Sequence, residues 1–391
     1  MNKFFVLLVT AMPGLQKLII FILSERLLSV SALGEFSSDY SILLVLSFLN
    51  SVGWAGLIMV RVPKLQSMDE HRYLFKVLET CTAYYLLSLG IIFILHHYGM
   101  ITDLINAALY SFAWMIYQIV RHYRLAKGDY GRILISDIVI LIIFTVLMAI
   151  IQRPLLSLFV STFVAALLLI VKPLIIERKL ISWTDQIKSL EISVNNILNA
   201  AILMSLPFIA NIGGEVEIGA LIGYFLPFFT MSLLLSRGIS LFYIPHLASS
   251  SGMALSILFK KFNVLNFIIV IVVIVLTYLL FMLLKPYLGF LSFDVLGRAN
   301  LIVGLVLAVT VGALSMPASS FLLAKEYTSE LLQSSVVQFL VCSIGVALYY
   351  VNHISMEALV FIIFAGGIIK VILTQFIVYR VLNKLKLDGV A

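Results

Sequence analysis

The 391-residue chain is 62% hydrophobic and 12% charged, with a mean hydropathy of +1.13 and a net charge of +7. That composition leaves too few polar side chains to clothe a water-soluble core, so it excludes a soluble enzyme or binding domain and makes lipid the expected solvent. The positive charge invites a nucleic-acid reading, but the basic residues collect in short segments between apolar runs, where retention on the cytoplasmic side accounts for them.

A membrane span needs about 20 apolar residues to cross roughly 30 Å of hydrocarbon. Twelve such runs follow one another. The first six lie at about Phe4–Val30, Ser41–Met59, Leu74–Leu95, Ile101–Val120, Ile133–Ile151 and Leu155–Val171. The second six lie at about Ile192–Ile212, Ile218–Ile244, Val264–Leu284, Leu301–Leu323, Leu331–Tyr349 and Leu359–Tyr379. Hydrocarbon offers no hydrogen bonds, so only helices or a closed barrel can span it, and runs of this length without period-two alternation are helices. The expected fold class is all-α, a polytopic membrane protein of about 12 transmembrane helices.

Lysine and arginine set its orientation. Twenty of them fall in one alternating set of loops, which includes Arg61, Arg72, Arg121, Arg124, Lys127 and Arg132. The other set holds Arg153, Lys285 and Arg298, outnumbered by Glu35, Asp39, Asp103, Glu215, Glu217, Asp294 and Glu357. Both termini are therefore expected in the cytoplasm. Cys81 and Cys342 fall inside apolar runs and read as small packing residues, not as a disulfide or metal pair. The opening run carries Lys17 and is too long for a cleaved signal, so it reads as a retained first helix.

Three short matches in register point to an internal duplication. Arg61-Val62-Pro63-Lys64-Leu65 answers to Tyr243-Ile244-Pro245-His246-Leu247, Leu74-Phe75-Lys76 to Leu258-Phe259-Lys260, and Leu125-Ala126-Lys127 to Leu323-Ala324-Lys325. Each lies at an equivalent basic end of an equivalent run. The expected domains are a six-helix lobe at 1–177, an amphipathic cytoplasmic linker at 178–190 and a second six-helix lobe at 191–391.

The stretch from Arg26-Leu27-Leu28 through Gly34-Glu35-Phe36 to Tyr40 resembles the first-to-second helix signature of polysaccharide exporters in the multidrug/oligosaccharidyl-lipid/polysaccharide (MOP) superfamily. In the second copy, Ile222-Gly223-Tyr224 opens a helix closing at Pro245-His246-Leu247, similar to Wzx-type O-antigen flippases. The resemblance covers almost the whole chain. It implies a MATE-like fold of two pseudo-repeated lobes around a cavity that opens alternately inward and outward in a bacterial inner membrane. It implies an undecaprenyl-diphosphate-linked oligosaccharide as substrate, membrane lipids as surroundings, and a polysaccharide polymerase and a chain-length regulator as partners. It brings no cofactor, metal or nucleic acid.

Charges inside spans are expensive, roughly 2.5–3.5 kcal/mol each on insertion scales, so those present should face a cavity or a partner. Lys17 lies mid-run in the first span, with Glu25 and Arg26 nearer its outer end. On an ideal helix Glu25 stands about 80° from Lys17, while Arg26 falls nearly opposite. Lys17 and Arg26 are candidates for a cationic cavity that receives phosphate oxygens; pairing with Glu25 or snorkelling are the structural alternatives. Arg237 sits in the cytoplasmic third of the eighth run. Lipid II flippases of the same superfamily place cavity arginines in their first and eighth helices, so the resemblance makes Arg237 a candidate. The second run has no mid-span basic residue where those flippases carry another, which argues against lipid II as cargo.

Lys370 lies mid-run in the twelfth span beside Gly366 and Gly367, a cavity candidate in a stretch that equally reads as close packing. Glu191, Asn195 and Asn199 form a polar stripe at i, i+4 and i+8 in the seventh span, suited to sugar hydroxyls or to neighbouring helices. Glu25 and Asp137 are the carboxylates placed to bind a coupling proton or sodium ion. No Walker A, HExxH, GxSxG or metal-spaced Cys/His motif occurs, so no enzyme is expected. The leading function is therefore a lipid-linked oligosaccharide flippase. The alternatives are a cation-coupled drug exporter on the same fold, a polytopic glycan polymerase or ligase, and a non-transporting scaffold.

Overall fold

The structure is a computed structural model describing residues 3–65, 67–170, 181–231, 250–284, 297–325 and 327–388, together with positions 233, 236, 239, 240, 243, 244, 246 and 247. Every regular element among the described residues is helical. Among the described residues seven helices are long and apolar enough to cross a membrane, or eight if the bent pair described below is one span. Contacts divide the chain into two compact units, Met1–Tyr224 and Phe225–Ala391.

In the first unit, α1 (Lys3–Leu27) is followed by α2 (Val30–Ser47), a π turn (Phe48–Val52) and α3 (Gly53–Arg61). Ser29 caps α2 by accepting a hydrogen bond from the Ala32 amide at 3.3 Å, satisfying a donor that has no partner within the helix. The helix therefore begins before Asp39, which the sequence placed in an outer loop. α4 (Ser67–His97), α5 (Leu104–Ala126), α6 (Tyr130–Ile151) and α7 (Pro154–Leu169) follow. Asp103 caps α5, taking the Asn106 amide at 3.2 Å, and Pro154 opens α7 at a position where its missing N–H costs nothing. α5 continues past Val120, the expected end of its run, and so draws Arg121 into a helix.

α8 (Trp183–Met204) and α9 (Leu206–Ile212) meet at a bend of 54°. The cause is Pro207 in the first turn of α9, which cannot donate to the preceding turn. α10 spans Val216–Met231. In the second unit, α11 is Gly252–Leu284, α12 Ala299–Leu314, α13 Met316–Ala324, α14 Thr328–Tyr350 and α15 Met356–Asp388. Pro317 interrupts the α12–α13 run in the same way. Of the three sequence matches, Leu125-Ala126-Lys127 and Leu323-Ala324-Lys325 each end a helix. In both, the lysine amide bonds back to the carbonyls two and four residues earlier.

Each unit has its own core. Trp54, Ile58, Val77, Cys81, Ile119 and Tyr123 close the first, and Phe259, Phe262, Phe321, Leu322 and Val378 the second. The two cysteines are free and buried. Elsewhere large apolar side chains point outward: Leu86 and Phe93 on α4, Ile142 and Ile150 on α6, and Ile372 and Phe376 on α15 are all more than half exposed. Only hydrocarbon makes such a surface stable, and the chain is a multi-pass membrane protein.

Where there is no hydrophobic drive between helices, small residues let backbones approach closely. Gly53, at the start of α3, meets α8 so closely that a Cβ there would lie 2.1 Å from Ser193 Oγ and 2.3 Å from the Ser189 carbonyl oxygen. Substituting Gly53→Leu is expected to lower stability by about 1–3 kcal/mol or more through overpacking, read as a lowered Tm in detergent from the fluorescence of neighbouring buried Trp54. Gly312→Ala, where nothing lies within 4 Å, should leave Tm unchanged or slightly raised.

Candidate functional site

The most densely bonded polar cluster joins α1, α5 and α6. Tyr117 and Arg121 are four residues apart and share one face of α5, which turns them together toward Asp137 on α6. The Tyr117 hydroxyl donates to Asp137 Oδ1. Arg121 donates from Nη2 to Asp137 Oδ2 at 3.3 Å and from Nε to Oδ1 at 3.5 Å, and also to the Val9 carbonyl at 2.8 Å. Gln16 of α1 donates to the Asp137 backbone carbonyl at 2.9 Å and to its carboxylate at 3.3 Å. All four side chains are buried, Asp137 completely. Deep burial makes an ion tolerable only when its partner and remaining hydrogen bonds are supplied, and here both are.

The structure thus sets the ion-coupling candidate Asp137 against an arginine that the sequence counted among loop anchors. The signal that could have found Arg121 is its spacing from Tyr117, legible only if the fourth run is carried past Val120.

The other candidates fall in separate places. Glu25 is buried and pairs with Arg26 at 3.6 Å, while the Arg26 side chain is two-thirds exposed and Tyr224 of α10 lies in the field of both. Lys17 is half-buried in the middle of α1, one position after Gln16. Glu191 is exposed, and Asn195 and Asn199 are half-buried. Their stripe is turned roughly 200° from the Ser189 and Ser193 face that abuts Gly53, so it is directed away from that packed contact. Arg237 lies outside the described residues.

In the second unit, Lys370 is 7% exposed in α15, and the Thr374 hydroxyl donates to its carbonyl at 2.6 Å. Beside it, Gly367 and Gly366 admit α12 and α14: a Cβ would lie 2.4 Å from Val311 and 3.1 Å from Cys342 Sγ. One turn along, Gln375 and Asn263 of α11 exchange amide hydrogen bonds at 3.0 and 3.3 Å. Among the described residues no group of three or more His, Cys, Asp or Glu is placed to hold a metal ion.

Two further buried groups escaped the sequence reading. Asp39 in α2 is 1% exposed and accepts from the Thr102 hydroxyl at 2.7 Å and the Thr102 amide at 3.3 Å. Among the described residues no lysine or arginine forms an ion pair with it. Asn50 is fully buried in the π turn, and its amide has no hydrogen-bond partner among the described residues. Turns of this type are frequent at functional positions within helices.

On the basic-loop side, Arg61 at the end of α3 pairs with Asp185 at the start of α8 at 2.5 Å. Lys127, just beyond α5, pairs with Glu70 at 2.5 Å, a hydrogen bond that raises its pKa above the usual lysine value.

Replacing Arg121→Ala strands a buried carboxylate and should cost about 3–5 kcal/mol, seen as a large Tm loss in detergent. The double variant R121M/D137L removes both charges and should recover most of that loss. A double variant as unstable as the single one would show that the pair is not what holds the three helices together.

No protein-family description matches the sequence, and no curated protein matches it. Solved structures do. An inward-facing MATE-family multidrug resistance transporter of the MOP superfamily aligns at a TM-score of 0.64 and 14% identity, over 97% of this chain and 95% of that one. The MATE multidrug transporter DinF-BH, solved in complex with a ligand, aligns at 0.71 and 11%, over 97% and 94%. The lipid II flippase MurJ in an inward closed conformation aligns at 0.65 and 12%, over 98% and 90%. The chain is an all-helical membrane protein with the fold that these MATE transporters and MurJ share.

Proposed function

We propose that the chain is a flippase that moves an undecaprenyl-diphosphate-linked oligosaccharide, an O-antigen or related repeat unit, from the cytoplasmic to the outer leaflet of a bacterial inner membrane. The observation that carries the reading is the state of the intramembrane charges. Both carboxylates expected to attract a cation are matched by arginines, Asp137 by Arg121 at 3.3 Å and Glu25 by Arg26 at 3.6 Å. Lys17 and Lys370 add two more cations within the helices, against the further buried carboxylate Asp39, and that excess of positive charge favours an anionic cargo.

Sugars and diphosphate cannot dissolve in hydrocarbon, so the path must replace water with hydrogen bonds while the polyprenyl tail stays in lipid. Lysine offers the phosphate oxygens a point charge and arginine a two-pronged one, and the Glu191, Asn195 and Asn199 stripe offers amides to hydroxyls. An inside-negative potential favours outward movement of the anion by about 2.3 kcal/mol per charge per 100 mV.

In this reading the lobes are residues 1–177 and 191–391, joined by the 178–190 linker, and they rock about the site. The Gly53 contact with α8 and the Arg61–Asp185 pair, both within the first compact unit, then join the first lobe to the linker and the start of the second. Both termini are cytoplasmic, and a polymerase and a chain-length regulator receive the product.

A second reading, a cation-coupled drug exporter, is favoured by one observation: Asp39 is a buried carboxylate held by Thr102 and not by an arginine or lysine. Such a group suits reversible binding of a proton or a cationic compound.

Deleting the gene from its native strain distinguishes the two. The flippase reading expects loss of long-chain surface glycan and cytoplasmic-side accumulation of lipid-linked repeat units. It also expects complementation by the wild type but at least tenfold weaker complementation by K17Q/K370Q at equal protein level. Intact glycan with new sensitivity to cationic drugs, rescued by the wild type and not by D39N, would overturn it in favour of the exporter.

A further inference from the structure

The ends of α4, α5, α6 and α7 enclose a cavity of about 290 Å³ that takes no part in the proposed transport path. Its floor is apolar, built from Leu74, Leu78 and Leu169, and its mouth carries Arg124, Lys127 and Arg132. The volume is at the lower end of the range of about 300–1,000 Å³ usual for small-molecule sites. The mouth lies on the basic-loop side, where these helices leave the hydrocarbon.

The cations are held in place before any ligand arrives. Arg124 donates to the Leu169 carbonyl from Nε at 3.0 Å and from Nη2 at 2.7 Å, which pins its guanidinium across the α5–α7 gap. Lys127 and Arg124 stand over the Tyr123 ring at 5.7 and 5.9 Å, and the Tyr123 hydroxyl reaches toward His71 at 3.4 Å. Two carboxylates answer three cations. Glu70 takes Lys127, and Asp129 is shared at 3.5 Å between Arg124 and Arg132. The mouth keeps one positive charge in excess, and the Arg132 side chain, with Nε on Asp129, is half exposed.

An apolar floor under a basic mouth at the membrane edge fits an amphiphile and not a free ion. A solvated phosphate would gain from the cations and nothing from the leucines. A phospholipid can place its phosphate between Arg132 and Lys127 and lay the start of an acyl chain over Leu74 and Leu78. Basic pockets between membrane helices on the cytoplasmic side bind anionic head groups in this manner. We propose that this cavity is a binding site for an anionic membrane phospholipid, its phosphate held by Arg132 and Lys127 and a chain in the apolar throat. The proposal needs these helix ends to lie at the membrane surface and does not depend on which cargo the protein moves.

The test is native mass spectrometry of the full-length protein in detergent, titrated with phosphatidylglycerol or phosphatidylcholine. Wild-type protein should retain phosphatidylglycerol at least tenfold better than phosphatidylcholine. K127Q/R132Q should lose that preference, and L78F, which fills the throat and leaves every charge in place, should weaken phosphatidylglycerol retention as strongly. K188Q removes an exposed charge outside the cavity and should change nothing. K127Q/R132Q and K188Q should keep the wild-type Tm without lipid, since the cations replaced are at the surface. Unchanged selectivity in K127Q/R132Q would overturn the site. Unchanged retention in L78F, or displacement of the lipid by millimolar inorganic phosphate, would overturn its assignment to a lipid.

Discussion

Hydrocarbon solvates neither peptide groups nor charges, and the rest of the structure answers to that constraint. It forces the backbone into helices and leaves long apolar faces such as that of α6 turned outward. It sends serine and threonine hydroxyls back to their own helix, as Ser47 bonds to the Leu44 carbonyl and Thr80 to that of Lys76. It also decides which charges survive inside. Asp137 is kept because Arg121, Tyr117 and Gln16 complete its shell from two other helices, so one residue fixes how α1, α5 and α6 meet.

The same constraint limits where a helix can break. Pro207 and Pro317 bend or interrupt spans at positions where the lost N–H falls in a first turn. The π turn at Phe48–Val52 shifts register without leaving the helix. Glycine serves at close approaches: Gly53 admits the backbone of α8 in the first unit and Gly367 the Val311 side chain of α12 in the second, where apolar side chains would gain nothing over lipid. Such seams are held by packing and a few ion pairs instead of a large buried core.

The helical class and the rough positions of the spans were legible in the sequence because about twenty apolar residues in a row have one reading. Span ends were less so, and the errors matter because the chemistry sits there. Ending the fourth run at Val120 turned Arg121 into a loop anchor, though it is the counter-charge of Asp137. Starting the second run at Ser41 left Asp39 outside a helix that begins at Val30 and buries it. In both cases hydropathy penalised a charged residue whose cost is met by a partner far along the chain, and hydropathy carries no record of partners. That Lys370 lies buried within a helix was legible because its glycine neighbours and mid-run position are local features. The cavity at the ends of α4 to α7 was invisible, since its floor and mouth come from four helices.

The likeness to MATE transporters and to MurJ is one of fold, and fold hosts both drug export and lipid flipping. What separates them is the sign of the charge that the interior is built to receive. In this chain arginines answer Asp137 and Glu25, Asp39 is held by Thr102, and Lys17 and Lys370 add to the basic side of the balance. The most direct measurement is leaflet inversion of a fluorescent glycan-diphosphate polyprenol in liposomes holding the purified protein. The account predicts that the protein speeds its exchange between leaflets well above that of empty liposomes, and faster still when the potential drives the anion across. No acceleration with any glycan-diphosphate lipid, in liposomes where the same preparation transports a cationic dye, would contradict it.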